Sequence, residues 1–277
     1  MPELPEVELV ARSLDRLAAG LRIEAAKLIR PGLAPENTPR EFARLLRGAR
    51  FERVERRGKH ILSKFDNGRV LITHLRMTGR FLLLPPRRPL PKHTHALFRL
   101  DDGRRLAFTD QRHFGLMKVV SAERLSEARE LRGLAPEPFS EEFTPGHLAS
   151  VLARTNRALK DVLLDQTKVT GLGNIYAAEV LHLARVNPFS TASHLPRRQV
   201  TRLHRAIIEV LGEALALGST MNVDPENIDG SYFGGGYNRR WRVYDREGEP
   251  CLKCKSPIRR VTHAGRSTYF CARCQLS

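Results

Sequence analysis

No stretch of this sequence approaches the roughly 20 apolar residues that a membrane-crossing helix needs, and the N-terminus lacks the basic-then-apolar order of a secretory leader. Both absences predict a soluble protein of the cytoplasm. Cysteine is missing before Cys251, and all four cysteines lie between Cys251 and Cys274. In a reducing compartment that clustering points to metal ligation rather than disulfides. Acidic residues are also short, with 30 Asp plus Glu against 47 Lys plus Arg, which leaves a formal charge of +17. The basic residues recur along the whole length and form no single tail. A polyanion is the expected partner, because each phosphate that a basic group neutralises on DNA or RNA releases condensed counterion. A merely solvated cationic surface remains the alternative at this point, so charge narrows the partner without naming a chemistry. There is no internal repeat.

What is present divides into an opening helix, a β-rich half and a helical half. Val7, Val10, Leu14 and Leu17 recur at spacings of three and four, with Gly20 where a C-cap belongs, which predicts an amphipathic helix over residues 3–19. From about residue 22 to 121 the runs Val70 to Leu75, Phe81 to Leu84 and Ala96 to Leu100, with turns at Asn67-Gly68 and Asp102-Gly103, read as an antiparallel sandwich. The segment 133–145 is rich in Pro, Gly and Glu and reads as a linker. Helical periodicity then runs from His147 to Leu217, and residues 218–240, rich in glycine, read as a mobile loop. The expected organisation is α+β and multidomain: residues 1–132, the linker, a helical domain over 146–240 and a cysteine module over 241–277.

Cys251-Leu-Lys-Cys254 and Cys271-Ala-Arg-Cys274 are two CxxC pairs, and each presents two thiolates from one tight knuckle to a tetrahedral zinc. Four thiolates leave no open coordination position, so one structural zinc is expected. Between the knuckles, Val261 to Phe270 reads as a β-hairpin with Gly265-Arg266-Ser267 at or near its tip. An arginine there could reach a phosphate or simply be exposed.

Five places, in order, carry a family resemblance: Pro2-Glu-Leu-Pro-Glu-Val-Glu8, Arg57-Gly-Lys59, Arg112-His-Phe114-Gly, Gln166 through Asn174 with Glu179, and the terminal CxxC pairs with Arg266. Together they resemble the formamidopyrimidine-DNA glycosylases of bacteria over essentially the whole chain. The resemblance implies a β-sandwich with an N-terminal helix, a helix-two-turn-helix domain with a lesion-recognition loop at 218–240, and a zinc ribbon. It also implies a monomeric, nucleoid-associated enzyme of base excision repair that acts on double-stranded DNA.

In the implied chemistry, loss of Met1 leaves Pro2 with a free secondary amine that attacks the sugar C1′ and expels an oxidised purine such as 8-oxoguanine or a formamidopyrimidine. The iminium is cationic because its nitrogen has no proton to lose, and it acts as an electron sink. Loss of the C2′ proton permits β-elimination of the 3′-phosphate, and δ-elimination then releases the 5′-phosphate. By the same resemblance Glu3 is the acid-base group. Lys59 holds a phosphate or contacts the damaged nucleotide. Arg266 is a catalytic-site arginine, and Asn174 and His74 join it and Lys59 around phosphates flanking the lesion. His93 is a further DNA-binding candidate, and Lys160 is a candidate contact of the lesion strand. Gly171-Leu-Gly-Asn174 precedes an apolar helical pattern, so Asn174 reads as an N-cap beside glycines that let backbone approach an anion.

Extruding a base leaves a hole to be filled. Met77 and Phe114 match the family's wedge and Arg112 its contact to the orphaned base, with Gly79 and Gly115 favouring loop positions over core strands. Thr78 and residues 221–240 depart from the family's pattern in regions that supply lesion-capping contacts. Two alternatives stand beside this reading. One is a relative that removes oxidised pyrimidines. The other is a non-catalytic zinc-ribbon protein that binds DNA or RNA, which explains the charge and the cysteines but not Pro2-Glu3 or the wedge.

Overall fold

The computed structural model describes residues 1–220 and 235–276. They form two compact units, one of residues 1–132 and the other of residues 133–220 with 235–276. None of the described helices is long and apolar enough to cross a membrane.

The first unit opens with α1 (Leu4–Ala18), whose N-cap is Glu3 in extended backbone. The Glu3 N–H donates to Glu6 Oε2 at 2.8 Å, which satisfies one of the donors a helix start leaves over. Val7, Val10, Ala11, Leu14 and Ala18 form the buried stripe, and each larger member contributes about 1.5–3 kcal/mol by leaving water. The C-cap is Ala19 rather than the expected Gly20. Gly20 follows at φ +82° and its N–H donates to Phe51 O at 2.8 Å, which turns the chain into the sheet.

Eight antiparallel strands form two sheets of four. One has the order β1 (Ile23–Leu28), β6 (Thr94–Leu100), β7 (Arg105–Thr109), β5 (Arg80–Leu84); the other has β2 (Phe51–Arg57), β3 (His60–Phe65), β4 (Arg69–His74), β8 (Leu116–Ser121). Ile23, Phe98 and Phe108 from the first sheet and Phe51, Phe65, Leu71 and Met117 from the second share one core with the stripe of α1. Because side chains alternate along a strand, Val70 and Ile72 point to the other face, where Leu62 and Ala128 cover them. The β-rich reading of residues 22–121 needs one correction. A short helix, α2 (Pro39–Leu46), interrupts it, started by a Thr38 cap and reciprocal bonds with Glu41, and it buries Phe42 and Leu46.

In the β3–β4 register His60 faces His74, with ring centroids 4.8 Å apart. Burial pushes the His60 imidazole down to about 4, against Glu130 and a hydrogen bond to the Arg57 backbone. Burial also pushes His74 down to about 2, with the charges of His60, Arg76 and Lys59 adding to it. Both rings are neutral in the folded protein at neutral pH.

The second unit holds α3 (Pro145–Ala153), α4 (Leu159–Leu164), α5 (Asn174–Leu183), α6 (Arg197–Ala216) and the hairpin β9 (Arg259–His263) and β10 (Arg266–Phe270). Thr144 caps α3 by accepting from the His147 N–H at 3.0 Å. Between α4 and α5 the chain is knitted by Gln166. Its Nε2 donates to Leu164 O and Leu172 O, and its Oε1 accepts from the Gly171 N–H. Residues 221–234 of the expected recognition loop lie outside the described residues. The end of that loop is no free strand of chain, since Gly236–Arg240 forms a 3-10 turn whose Tyr237 is fully buried against Tyr176.

Glu179 on α5 is 0% exposed and gathers three backbone N–H groups, those of Arg242 at 2.7 Å, Val243 at 3.0 Å and Tyr244 at 2.9 Å. Burial pushes its pKa up, while the three donors and the Arg242 guanidinium oppose the shift. Arg242 in turn forms a two-pronged bond to Glu213 on α6 at 3.0 and 2.8 Å. This carboxylate pins the start of the cysteine module to the helices.

Two outcomes follow. Glu179→Ala strands three buried donors, so urea unfolding should show a loss of about 3 kcal/mol; a loss below about 1 kcal/mol would remove the carboxylate from this role. His60 and His74 have folded-state pKa values below their ordinary 6.5, so protons bind the unfolded chain first. Their contribution is complete above pH 6.5 and declines as pH falls toward 4, by up to about 1.4 kcal/mol per pH unit for each ring. The urea midpoint measured from pH 8 to 4.5 should be flat and then fall, and His74→Leu should flatten the fall. An unchanged slope in that variant would contradict the assignment.

Candidate active site

At the head of α1, Pro2 and Glu3 are both buried, Glu3 to 2% exposure, while Met1 is 44% exposed. With Met1 in place the Pro2 nitrogen is a tertiary amide and has no nucleophilic lone pair. Removal of Met1 would convert it to a secondary amine at the positive end of a helix, where a neutral amine is favoured over its ammonium. The helix is braced along its length. Arg56 on β2 pairs with Glu8 of α1 at 2.8 Å and donates to Gly58 O at 3.0 Å, and the Val54 N–H donates to Asp15 of α1 at 2.6 Å.

Lys59 occupies the second position of the two-residue β2–β3 turn. Gly58 precedes it at φ +58°, a left-handed conformation suited to glycine. Lys59 is only 5% exposed, so the basic run Arg56–His60 is not the solvated cationic strand that its composition suggests by default. His74 ends β4, and its Nδ1 accepts from the Arg76 N–H at 3.0 Å. A neutral ring with Nδ1 occupied carries its hydrogen on Nε2 and can donate it to a phosphate oxygen without contributing charge.

Met77, half-buried, and the exposed Arg112 and Phe114 lie on two loops of the same unit. Phe114 is 53% exposed, with the Arg112 guanidinium 5.1 Å from its ring centroid, so its apolar surface is presented rather than packed. The flanking glycines are required by space. A Cβ at Gly79 would lie 2.4 Å from Leu75 O, and one at Gly115 would lie 2.9 Å from the Phe108 ring.

Sequence reasoning missed what holds these loops. Asp110, 1% exposed, accepts from the Gly115 N–H at 2.6 Å and the Arg112 N–H at 3.2 Å, and the Thr78 hydroxyl donates to it. The Arg112 N–H also reaches Thr78 Oγ1 at 3.0 Å. Burial pushes the Asp110 pKa up, but the bonds from Thr78, Gly115 and Arg112 outweigh it and hold the carboxyl below its usual range. His95 Nε2 lies 2.8 Å from both Asp110 O and His113 Nδ1. Because a carbonyl only accepts, that nitrogen carries the hydrogen. The side chain of His93 is exposed; its carbonyl accepts from the Asp110 N–H at 3.0 Å.

In the second unit three predicted residues converge. Lys160 Nζ donates to Ser267 O at 2.9 Å and to Thr268 Oγ1 at 2.7 Å, and Asn174 Nδ2 donates to the same Ser267 O at 3.0 Å. Lys160 is 1% exposed, and its ammonium supports β10. One expectation is corrected here: the N-cap is Gly173, and Asn174 is the first helical residue, whose side-chain Nδ2 bonds β10 while its buried Oδ1 has no hydrogen-bond partner among the described residues. Its backbone N–H is among the donors that a helix start leaves free for an anion. The exposed Arg266 is the first residue of β10, just past a tip formed by Ala264 and Gly265 at φ +47° and +72°.

The four cysteines bring their sulfurs within 4.8 Å of one another, with Cys251 to Cys274 at 3.9 Å and Cys254 to Cys271 at 3.4 Å. Bonds of about 2.3 Å to a tetrahedral zinc place sulfurs at such separations. The set fits one structural zinc. His182 Nε2 lies 3.5 Å from Cys251 Sγ, and Gln275 Oε1 accepts from the Cys271 N–H at 2.9 Å, so the knuckles have supporting contacts as well.

Profiles of known families match the chain in three segments. These are the formamidopyrimidine-DNA glycosylase N-terminal domain over residues 1–117, the H2TH domain of the same glycosylase over 134–224, and the zinc finger found in FPG and IleRS over 248–276. The chain is 44% identical over 281 residues to the formamidopyrimidine-DNA glycosylase of Bacillus licheniformis and 41% identical over 278 residues to that of Desulforamulus reducens, with 99% of both partners covered in each case. Among solved structures it is similar to Lactococcus lactis Fpg in complex with DNA containing an abasic site. The TM-score is 0.92, at 32% identity over 99% of this chain and 100% of that one. The chain belongs to the formamidopyrimidine-DNA glycosylase family.

Proposed function

We propose that the protein is a bifunctional DNA glycosylase and abasic-site lyase that removes oxidised purines, 8-oxoguanine and formamidopyrimidines, from duplex DNA. The observation that carries this reading is Pro2 at the buried head of α1, followed by Glu3 as the N-cap. After removal of Met1, the Pro2 nitrogen attacks C1′, the C1′–N bond of the damaged base breaks with its electron pair leaving on the base, and the attacking nitrogen loses its proton. The C1′–O4′ bond then breaks with its electron pair leaving on the protonated O4′, which gives the ring-opened iminium. The iminium accepts the electrons of the C2′–H bond as that proton is lost, and the 3′-phosphate departs. A second elimination expels the 5′-phosphate, and hydrolysis frees the amine. Glu3 protonates the sugar oxygen and moves the elimination protons.

Lys59, the neutral His74 and Arg266 supply donors to the phosphates around the lesion, with the backbone N–H of Asn174 beside them. Met77 and Phe114 fill the vacated stack and Arg112 bonds the orphaned base. The zinc holds the knuckles that carry the β9–β10 hairpin. Lactococcus lactis Fpg has been solved with DNA containing Fapy-dG and with DNA containing an oxidised pyrimidine, so the lesion classes belong in one comparison.

Protein whose N-terminus is confirmed as Pro2 should form a covalent adduct with an 8-oxoguanine:cytosine duplex in borohydride, which reduces the iminium to a stable amine. The adduct should map to Pro2 and form faster than with an oxidised pyrimidine. A faster reaction with the pyrimidine would move the specificity to that class, and tight binding with no adduct on any lesion or abasic site would leave a non-catalytic DNA-binding protein. Arg266→Ala should weaken binding to all sequences alike and lower the slope of log affinity against log salt by about one. An unchanged slope in a salt titration would take Arg266 off the phosphates.

A further inference from the structure

Resting on the reading above, we propose that Thr78 and Asp110 are positioning residues that lock the two wedge loops into one rigid unit, so that base extrusion depends on their shared hydrogen bonds. Thr78 follows Met77 directly, and Asp110 stands two residues before Arg112. The Thr78 hydroxyl donates to Asp110 Oδ1 and accepts from the Arg112 N–H at 3.0 Å. One side chain thus bonds the foot of the other loop in both directions. Asp110 completes the lock through Oδ2, which takes the Gly115 N–H at 2.6 Å. The exposed tip Arg112–Phe114 is therefore bracketed at both ends by a single buried carboxylate.

Burial of apolar surface cannot hold these loops at their tips, because Phe114 is 53% exposed. A wedge that enters a base stack must resist being pushed back, and a loop free to yield would lose the strain it applies. Two features make the lock specific. An asparagine at 110 would offer one acceptor oxygen where the carboxylate offers two, so it cannot serve Thr78 and Gly115 together. A valine at 78 keeps the shape of threonine but neither donates nor accepts.

The residue at 78 thus has a role other than capping the lesion. Its hydroxyl is directed at Asp110 and Arg112, in a network that His95 extends by donating from Nε2 to Asp110 O at 2.8 Å. Loss of either partner should therefore act through Met77, Arg112 and Phe114 and leave the chemistry at Pro2 alone.

The test uses the full-length protein with Met1 removed and two substrates. One is an 8-oxoguanine:cytosine duplex with 2-aminopurine beside the lesion, whose fluorescence reports extrusion. The other is a single-stranded oligonucleotide with a preformed abasic site, which needs no wedge. Thr78→Val should slow the extrusion phase and duplex excision by about tenfold, the effect of one buried hydrogen bond. Cleavage of the single-stranded site should stay within about twofold. Thr78→Ser should restore extrusion, and Asp110→Asn combined with Thr78→Val should be little worse than Asp110→Asn alone.

Equal losses of Thr78→Val on both substrates, or extrusion unchanged from the unaltered protein, would overturn the lock. A merely structural defect would lower both activities and the melting temperature without rescue by serine. The borohydride adduct of the unaltered protein is measured alongside. Its absence would overturn the glycosylase reading and the lock with it, whereas its presence with an unaffected Thr78→Val overturns the lock alone.

Discussion

The packing of α1 against β2 and β3 is the constraint on which the first unit depends. A residue at the very start of a chain has covalent connection on one side only, so its position is fixed by whatever the next few residues bury. Here Val7, Val10 and Leu14 sink into the sandwich core, and the Glu3 to Glu6 bond stops the first turn from fraying. The same helix carries Glu8, whose partner Arg56 also grips the Gly58 turn that presents Lys59. One amphipathic helix therefore sets the position of its own head and of the lysine turn, and the sandwich serves as its anvil.

Burial of the basic groups has an electrostatic consequence. His60 and His74 face each other across β3 and β4 and stay neutral because burial and neighbouring cations oppose protonation. A second full charge beside Lys59 would cost repulsion whenever DNA is absent. A neutral imidazole supplies a donor without that cost. The overall charge of +17 can then serve long-range attraction while a neutral donor beside Lys59 acts through its geometry.

Elements with a period, or ligands with a fixed spacing, were legible in the sequence. The stripe of α1 repeats every three or four residues and the CxxC pairs state their own geometry. α2 was also written there as Thr38-Pro39-Arg40-Glu41, a cap with its partner, but eight residues within a strand-like stretch gave too little period to outweigh their surroundings. Asn174 and Gly173 both make good N-caps, and only the backbone decides between them. What escaped was the role of residues whose meaning lies in a distant partner. Asp110 is one acid before a turn until Thr78 meets it, and Lys160 is one basic residue in a basic chain until Ser267 O, 107 positions on, accepts a hydrogen bond from it.

These buried polar residues share a logic. A loop that must present Phe114 or Arg266 outward cannot be held by apolar burial at its tip, so it is held at its feet by buried polar groups. Asp110 gathers donors beneath the Arg112–Phe114 loop, Lys160 and Asn174 converge on the carbonyl beside Arg266, and Glu179 gathers three N–H groups where the cysteine module begins. Polar feet carry a penalty that apolar ones do not, because each buried donor or acceptor without its partner costs about 1–3 kcal/mol. That penalty makes the geometry discrete. A slipped loop would strand several such groups at once, whereas a slipped apolar contact only trades one surface for another. Specific positioning of these exposed groups therefore comes from a few buried hydrogen-bond hubs, while the hydrophobic cores supply the platform on which those hubs stand.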